Sequence, residues 1–498
     1  MVKRKRDAEN GVPETRQTEH GNIHAAELAP LKYRKQETPG GSIRSIQIIT
    51  GSYERALHGV TVSIFSELRG SDPFISAKFA DNFLFNAHAS AIRCLALSSI
   101  SETSSGVQNR NVLLASGGTD ERVNVYSLSA SPPVEHEKLP TPTLGGNKIA
   151  EDPRNRDLGS LLHHSSSITA LHFPTRTKLL SAAEDNTIAI TRTKDLSLIS
   201  TIKAPRPKVP NKASGDAAAL DTSPTGVNDF AIHSSMKLML SVGKGERCMR
   251  LWNLVTAKKA GVLNYTRETL QSIQEGRYTF GEGRCVEWHP LENEFAVGFE
   301  RGIIVFGEDS KPRCRALPQP ITKLHRMQYL SLTSSQGEDV ILLSVSTENG
   351  KILFYSTNNI IGPKTDTVPN SSLPDAVCVA QLDCNIDGRR GRVKDFEMIH
   401  LHSFSPAFVA ITASSDGRIR LWDITTDDLL MRAKKRAQAD KPFELGKLFA
   451  TYETSSRITC MKAFAMVDSS PGDANLSDFG ELTEDDDHID SDLTGSES

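Results

Sequence analysis

Long apolar runs, paired cysteines and a dominant charge are all missing from this chain of 498 residues. No stretch approaches the roughly 18 consecutive apolar residues of a membrane-spanning helix, and the N-terminal region is charged where a signal peptide would be apolar. We therefore expect a soluble intracellular protein. The seven cysteines form no CxxC pair, and several lie in apolar strand patterns, so we expect buried, reduced thiols.

Composition also excludes two broad classes. Hydrophobic residues make up 38% of the chain and the net charge is −3. A wholly disordered protein would be less hydrophobic, and a protein whose whole surface attracts nucleic acid would carry a large positive charge. The length suits one large cooperative unit with tails. Partners must therefore be inferred from local features.

One short phrase recurs six times: small residues, a polar turn, then an apolar strand that in most cases ends in a bulky side chain. The copies end 49 to 67 residues apart, which is longer than the roughly 40–45 residues of a four-stranded propeller blade, so we infer loop insertions. A single blade cannot bury its faces, so several must close into a ring. The phrases lie at residues 116–126, 181–191, 241–252, 296–306, 344–355 and 412–422.

The pattern predicts an all-β, seven-bladed β-propeller over residues 43–467. The first blade is irregular, with β-rich stretches at 46–49, 58–65 and 75–85, and an apolar strand precedes each phrase. Two strands follow the last phrase, at 447–452 and 457–464, which is one more than the last blade requires. We expect the surplus strand to join the first blade and to close the ring, because closure removes an exposed edge.

Four segments differ from the repeats in composition. Residues 1–42 form a predicted disordered basic tail, and residues 468–498 a predicted disordered acidic tail. From Ser469 onward this second tail has ten Asp or Glu and no Lys or Arg. Residues 127–158 and 203–226 are rich in Pro, Ser and charges, and are predicted as loops inserted in the ring. These loops would extend the surface available to partners.

Catalytic and ligand-binding interpretations compete with structural ones. His88, Asp120 and Ser116 comprise a base, an acid and a hydroxyl, but such residues in a propeller blade are expected to satisfy one another below the surface. The pair His163–His164 is a poor metal site because adjacent strand residues face opposite ways. An enzyme would need titratable groups converging on a central pocket, and the sequence suggests none. We therefore predict no catalytic residue, no cofactor, no metal and no small-molecule substrate.

Particular motifs resemble a known family. The elements at residues 251–252 and 421–423, with His88 and Asp120, resemble WD repeats, in which a His, a turn Asp, a strand Ser or Thr and a Trp form a buried hydrogen-bonded set. More narrowly, an ordered series of blade-specific phrases resembles the p21-activated-kinase-interacting family of WD-repeat ribosome-assembly factors. The series comprises residues 51–54, 57–59, 86–92, 181–185, 240–243, 251–254, 392–395 and 414–417.

The resemblance implies a function and a set of structural residues. It implies a non-catalytic scaffold in the nucleus and nucleolus that supports large-subunit assembly and pre-rRNA maturation. The implied partners are pre-60S ribosomal particles, other assembly proteins and pre-rRNA, and no membrane. Negative regulation of a p21-activated kinase by direct binding stays open as the alternative. The expected structural residues are His88, Ser116, Asp120, Tyr126, Asp185, Trp252, Asp416 and Trp422.

Three blades depart from the pattern. Thr191 stands where a Trp is usual in the third blade, the phrase of the fourth blade (241–252) has an extra residue near Gly245, and Arg389 and Arg390 lie near the expected His of the seventh blade. We do not expect complete buried sets in these blades.

Two basic groups are candidate contacts with partners. Lys3, Arg4, Lys5 and Arg6 suit nuclear import or contact with RNA phosphates. Arg389, Arg390, Arg392 and Lys394 enter the seventh blade and suit contact with RNA phosphate or an acidic protein. No aromatic side chain accompanies this second group, so we expect no base-specific recognition.

Overall fold

A computed structural model describes residues 42–69, 72–100, 110–132, 154–206, 225–275, 279–333, 339–362, 373–386, 391–401, 408–434 and 442–467. The predicted tails, apart from Ser42, and the central parts of the two predicted insertions lie outside these residues. In the part described, no helix is long and apolar enough to cross a membrane.

Strands dominate the described chain, with two short helices. The first strands are β1 (Ser42–Ser52), β2 (Ala56–Arg69), β3 (Asp72–Asn86), β4 (Ile92–Leu97), β5 (Asn111–Gly118), β6 (Val123–Ser129), β7 (Arg156–Leu161), β8 (Ile168–Thr175), β9 (Lys178–Ala183) and β10 (Thr187–Arg192). There follow β11 (Leu198–Lys203), β12 (Val227–Ile232), β13 (Leu238–Gly243), β14 (Cys248–Asn253), β15 (Lys258–Asn264), α1 (Arg267–Ser272), β16 (Cys285–Trp288), β17 (Glu294–Gly298), β18 (Ile303–Gly307) and β19 (Pro312–Ala316). The last elements are β20 (Leu324–Thr333), β21 (Asp339–Thr347), β22 (Lys351–Ile361), β23 (Asp375–Asp383), β24 (Val393–His400), β25 (Phe408–Ser414), β26 (Arg418–Ile424), α2 (Thr426–Lys434), β27 (Phe443–Glu444), β28 (Lys447–Glu453) and β29 (Ile458–Ala465).

The strands form five four-stranded antiparallel sheets and one nine-stranded sheet. The four-stranded sheets have the orders β29-β1-β2-β3, β4-β5-β6-β7, β8-β9-β10-β11, β12-β13-β14-β15 and β24-β25-β26-β28. The nine-stranded sheet consists of two antiparallel groups, β16–β19 and β20–β23, with β27 paired to β23. The hydrogen-bonded ladder passes from one group to the other at the parallel pair Arg315 and Asp375, whose side chains form a salt bridge of 2.6 Å.

The innermost strands contact one another in a closed cycle. In order they are β29, β4, β8, β12, β16, β20 and β24, and β24 contacts β29 again. The all-β class and the strand-turn-strand repeats predicted from the sequence are confirmed. A ring of seven blades stays our prediction, and this cycle is the observation that supports it.

The chain closes on itself through its last strand. β29 pairs antiparallel with β1, from Ile46 opposite Ala465 to Gly51 opposite Cys460, so the predicted closing strand is confirmed. The Thr459 hydroxyl lies 2.9 Å from the carbonyl oxygen of Gly51 and 2.6 Å from that of Ile92. One residue of the final strand thereby links the first two sheets.

Apolar side chains pack between neighbouring sheets. Ile49 and Leu57 of the first sheet share a buried cluster with Leu95, Leu114 and Tyr126 of the second. Burying one such aliphatic side chain contributes about 1.5 to 3 kcal/mol. The spacing of these side chains along the repeats explains why the sequence pattern marks the strands so clearly.

Two sheets carry a buried histidine set. In the second sheet, His88 Nδ1 lies 2.9 Å from Asp120 Oδ1 and Nε2 lies 2.8 Å from Ser116 Oγ. In the third sheet, His164 Nε2 lies 2.8 Å from Ser181 Oγ and Nδ1 lies 3.2 Å from Asp185 Oδ2.

Sequence reasoning did not identify His164 as a member of such a set. Thr191 occupies the position of the usual Trp, and its buried hydroxyl has no hydrogen-bond partner. Only the Trp end of the third set is therefore missing.

Arginine replaces histidine in two other sheets. Arg250 Nη2 donates to Glu246 Oε1 at 2.6 Å, and Arg420 Nη2 donates to Asp416 Oδ2 at 3.2 Å. The tryptophans of these sheets keep the usual bond, because Trp252 Nε1 donates to Ser241 Oγ at 2.8 Å and Trp422 Nε1 to Thr412 Oγ1 at 3.1 Å. In these four sheets the polar turn is thus held by a buried cation or imidazole of its own sheet.

All seven cysteines are free. Burial raises the pKa of Cys94, Cys285 and Cys384 to about 12. A thiol with so high a pKa is a weak nucleophile near neutral pH, because the thiolate is the reactive form.

Gly51→Ala tests the closing contact. A Cβ at Gly51 would lie 2.7 Å from Ile92 Cγ2 and 2.8 Å from Cys460 Sγ, so the strand that closes the ring must shift. We expect the free energy of unfolding in urea to fall by about 1 to 3 kcal/mol. The matched control is Gly362→Ala, because nothing lies within 4 Å of a Cβ there, and it should change the free energy by less than about 0.5 kcal/mol. Equal effects of the two substitutions would contradict the assigned role of the contact.

Asp185→Asn tests the electrostatic part of the third set. Although burial opposes the shift, hydrogen bonds from His164, Thr187 and the Ser165 amide lower the pKa of Asp185 to about 2. A lowered carboxyl pKa stabilises the fold above the unfolded-state value of about 3.9, and that stability is lost as the pH falls through the folded-state value.

We expect the variant to be about 1 to 2 kcal/mol less stable than the wild type at pH ~7. The difference should narrow towards pH ~3 in urea unfolding experiments. A difference that does not change with pH would show that the carboxylate charge contributes nothing.

Candidate functional site

The turns between the second and third strands of the sheets lie on one face of the ring, which we call the turn face. Six of the seven turns donate a backbone hydrogen bond to the residue just before the inner strand of their own sheet. For example, the Glu184 amide donates to the Ser167 carbonyl at 3.0 Å, and the Ser415 amide to the Arg392 carbonyl at 2.9 Å. The inner strands therefore all begin on this face. The turns comprise residues 53–55, 119–122, 184–186, 244–247, 299–302, 348–350 and 415–417.

Two residues of the predicted basic group lie on the turn face. Arg392 Nη2 is 3.1 Å from Glu348 Oε1, and about half of its side chain is exposed. Lys394 is half-buried and forms no salt bridge with a described carboxylate. Burial lowers its pKa, and the neighbouring Arg392 and Arg457 lower it further.

The other predicted contact residues lie outside the part of the chain that the structure describes. Arg389 and Arg390 lie outside the described residues, as do Lys3, Arg4, Lys5 and Arg6. Their roles as partner contacts and as an import signal stay predictions.

Charged side chains meet in the central channel, which is the space enclosed by the inner strands. They are Asp229, Glu287, Arg326, Asp395, Glu397 and Lys462, contributed by five inner strands. The sequence-based statement that no titratable groups converge at the centre was therefore wrong. It failed because each repeat contributes only one or two of these residues, and only closure of the ring brings them together.

Burial shapes the electrostatics of the channel. It raises the pKa of Asp229 to about 6 and that of Glu287 to about 7, while Arg326 opposes both shifts. Arg326 Nε lies 3.9 Å from Asp395 Oδ1, and Lys462 is paired with Glu397. The cations of the channel thus have anionic neighbours inside it.

Two of the channel carboxylates join neighbouring sheets. Asp229 Oδ2 accepts a hydrogen bond from the Val286 amide at 3.2 Å, and Asp395 Oδ2 accepts one from the Met461 amide at 3.0 Å. Each carboxylate therefore spans from one inner strand to the next. These contacts give Asp229 and Asp395 a structural role.

The histidine sets have the hydrogen-bond connectivity of a hydrolase triad, but a substrate has no access to them. Ser116 is 0% exposed and His88 is buried, so no substrate carbonyl reaches the serine hydroxyl. Among the described residues, no group of three or more His, Cys, Asp or Glu side chains is arranged to hold a metal ion. His164 is turned into its blade set, away from any shared site with His163.

A groove of about 420 Å³ lies between the sheets β12–β15 and β16–β19. Its walls are mainly apolar, and they include Val262, Trp288 and Phe295. His233 packs edge-on against Trp288 at 4.8 Å between ring centroids and lies 3.2 Å from Glu292.

Comparison with known proteins supports the repeat assignment. The WD domain, G-beta repeat family matches residues 155–191 and 382–423. The first match contains the His164 set and Thr191, and the second contains Arg420 and Trp422. Both matches therefore coincide with sheets that carry a buried polar set.

Several known proteins are similar to this chain over most of its length. A p21-activated protein kinase-interacting protein 1-like protein of Xenopus laevis is 24% identical over 420 residues, which cover 84% of this chain and 82% of that protein. Protein MAK11 of Saccharomyces cerevisiae is 24% identical over 405 residues, covering 78% of this chain and 80% of that protein. Shk1 kinase-binding protein 15 of Schizosaccharomyces pombe is 22% identical over 348 residues, covering 68% and 79%. The chain thus carries WD40 repeats and is a homologue of the p21-activated protein kinase-interacting protein 1-like proteins and of protein MAK11.

Proposed function

We propose that this protein is a non-catalytic scaffold for large ribosomal subunit assembly in the nucleolus. The observation that carries the proposal is the homology to protein MAK11, which runs over 405 residues and hence through most of the ring. A single WD motif would not support it, because unrelated proteins share the fold. The order of blade-specific phrases supports the same family.

The structure suits a positional mechanism. Closure by β29 and the packing between sheets hold the turn face as one rigid surface. Partners that dock on such a surface meet at fixed angles without a conformational change of the ring. We propose pre-60S particles and other assembly proteins as these partners.

A second candidate function is the regulation of a p21-activated kinase by direct binding. It is favoured by the names of two relatives, one a p21-activated protein kinase-interacting protein 1-like protein and the other Shk1 kinase-binding protein 15. The same rigid ring could cover a regulatory segment of a kinase. The two functions differ in cellular location and in the size of the complexes formed.

Sedimentation distinguishes these candidates. An epitope-tagged chain should co-migrate on a sucrose gradient with precursor rRNA of the large subunit, whereas the tag alone should stay near the top. If the chain stays in the light fractions and is recovered with a p21-activated kinase instead, the scaffold function is wrong and kinase regulation becomes the leading account.

Replacing Lys3, Arg4, Lys5 and Arg6 by alanine tests nuclear import. We expect a fluorescent fusion of the variant to move from the nucleus to the cytoplasm, because an acidic groove of an import receptor would lose its cationic ligands. Adding a heterologous import signal to the variant should restore nuclear fluorescence. Unchanged nuclear fluorescence of the variant would contradict the role of this cluster.

A further inference from the structure

The first residues of the inner strands form the rim of the central channel on the turn face. The residues at corresponding positions, in or just before these strands, are Arg93, Thr169, Asn228, Arg284, His325, Lys394 and Thr459. Three consecutive strands, β16, β20 and β24, therefore place Arg284, His325 and Lys394 side by side. Sequence inspection does not show this arrangement, because the three residues lie in different repeats.

Other rim residues form hydrogen bonds between neighbouring inner strands. The Thr169 hydroxyl donates to the Val227 carbonyl at 2.6 Å, and Asn228 Nδ2 donates to the Gly283 carbonyl at 2.8 Å. Thr459 makes the equivalent bond to the neighbouring sheet. Each of these side chains binds the start of the next inner strand, which is a structural role.

Lys394 and His325 have no such role. Lys394 makes no salt bridge to a described carboxylate, and His325 Nε2 is a buried ring nitrogen without a hydrogen-bond partner. A buried polar atom without a partner is costly. Two neighbouring positions of the rim therefore hold polar groups that the fold itself leaves unused.

The surroundings of these two residues are electropositive. Arg392 and Arg457 face Lys394, and Arg284 and Arg392 face His325. Glu348, which is paired with Arg392, is the carboxylate that faces both, and Glu300 is shared by Arg284 and Lys323.

The pKa of His325 reflects its burial first and the neighbouring cations second. Burial lowers the pKa of His325 to about 4, and Lys394 and Arg392 lower it further. An anion bound here would relieve the repulsion among the cations.

We propose that this basic mouth, comprising Arg284, Arg392, Lys394 and Arg457 around the uncharged His325, binds the phosphate groups of RNA. The rim carries its cations at Arg284, just before β16, and at Arg392, Lys394 and Arg457, around the starts of β24 and β29. His325 lies between them and is uncharged near neutral pH, because its pKa is about 4. Such a row of cations matches the repeated charges of a nucleic-acid backbone better than one carboxylate. Arginine forks and a lysine are suited to phosphate. The contact is made by cations, so it reads the backbone and not the bases. The ring of the exposed Tyr53 lies 5.6 Å from Arg457 Cζ, and the Arg457 guanidinium lies over it.

The choice of RNA over another polyanion rests on the proposed function in ribosome assembly. The rim geometry by itself specifies an anion with several charges. Glu287 and Glu397 line the channel below the mouth, so the polyanion lies across the mouth and does not enter the channel.

Salt-dependent RNA binding tests the proposal. The full chain is titrated against a fluorescein-labelled oligouridylate of about 12 nucleotides, and fluorescence anisotropy gives Kd at several salt concentrations. Each lost phosphate contact should make the plot of log Kd against log salt less steep by about 0.7. We therefore expect the double variant Arg392→Gln, Lys394→Gln to bind more weakly, with a slope lower by about 1.4.

The matched control removes two cations from the opposite end of the sheets. Lys178 begins β9 and Lys194 lies in the turn after β10, and both are exposed. Lys178→Gln, Lys194→Gln has the same change in net charge, and its slope should equal that of the wild type. Thermal unfolding of the two double variants should show that both remain folded. Lys394 makes no ion pair with a described carboxylate, and the pair of Arg392 with Glu348 is half-exposed, so that its loss costs at most about 1 kcal/mol.

Two outcomes would overturn the proposal. One is an equal slope for the rim variant and the wild type. The other is tighter binding of a labelled polyglutamate peptide that displaces RNA from the wild type but not from the rim variant, because the mouth would then serve an acidic protein. Failure of the wild type to sediment with pre-ribosomal particles would instead contradict the proposed function, whatever the slope measured for purified protein.

Discussion

The pairing of β29 with β1 is the contact on which the rest of the structure depends. Without it, β1 and β29 would each lose a strand with which they pair, and two unpaired edges would be exposed to solvent. The contact forms between segments more than 400 residues apart, so its loop-closure entropy must be compensated by packing throughout the ring. Close approach is needed at the seam, and glycine at position 51 supplies it because Cys460 and Ile92 occupy the space of a side chain. The rigidity of the turn face follows from this closure.

Closure also decides which side chains become neighbours. Within one repeat, a residue at the start of an inner strand has no special meaning, but in the ring it stands beside its equivalents from the adjacent sheets. Thr169, Asn228 and Thr459 use that proximity to bond the next strand. Lys394 and His325 stand in the same ring of positions and make no such bond. The rim positions that bond the next strand therefore stabilise the ring, and the rim positions that make no such bond are available to a ligand.

The strands could be predicted well from the sequence because the pattern that marks each strand lies within a single repeat. Alternating apolar residues and a polar turn reveal β9 and β10 or β25 and β26 without any knowledge of their neighbours. Polar substitutions were harder to interpret. Arg250 and Arg420 take the place of the expected histidines by pairing with Glu246 and Asp416. No local sequence pattern predicts such a replacement. The channel charges were missed for a stronger reason: Glu287, Arg326 and Lys462 interact only after distant repeats have been brought together. Conversely, the roles of Arg389, Arg390 and the N-terminal basic cluster stay predictions from sequence.

The channel and its mouth differ in how their charges are balanced, and that difference bears on where a partner would bind. In the channel, Lys462 is paired with Glu397, and Arg326 lies near Asp395, Glu287 and Asp229. A polyanion would gain little there, because the cations are already neutralised and further carboxylates would repel it. At the mouth, Glu348 faces Arg392, Lys394 and His325 together. The attraction for phosphate is therefore confined to the surface of the turn face, where a long chain could pass without threading the ring.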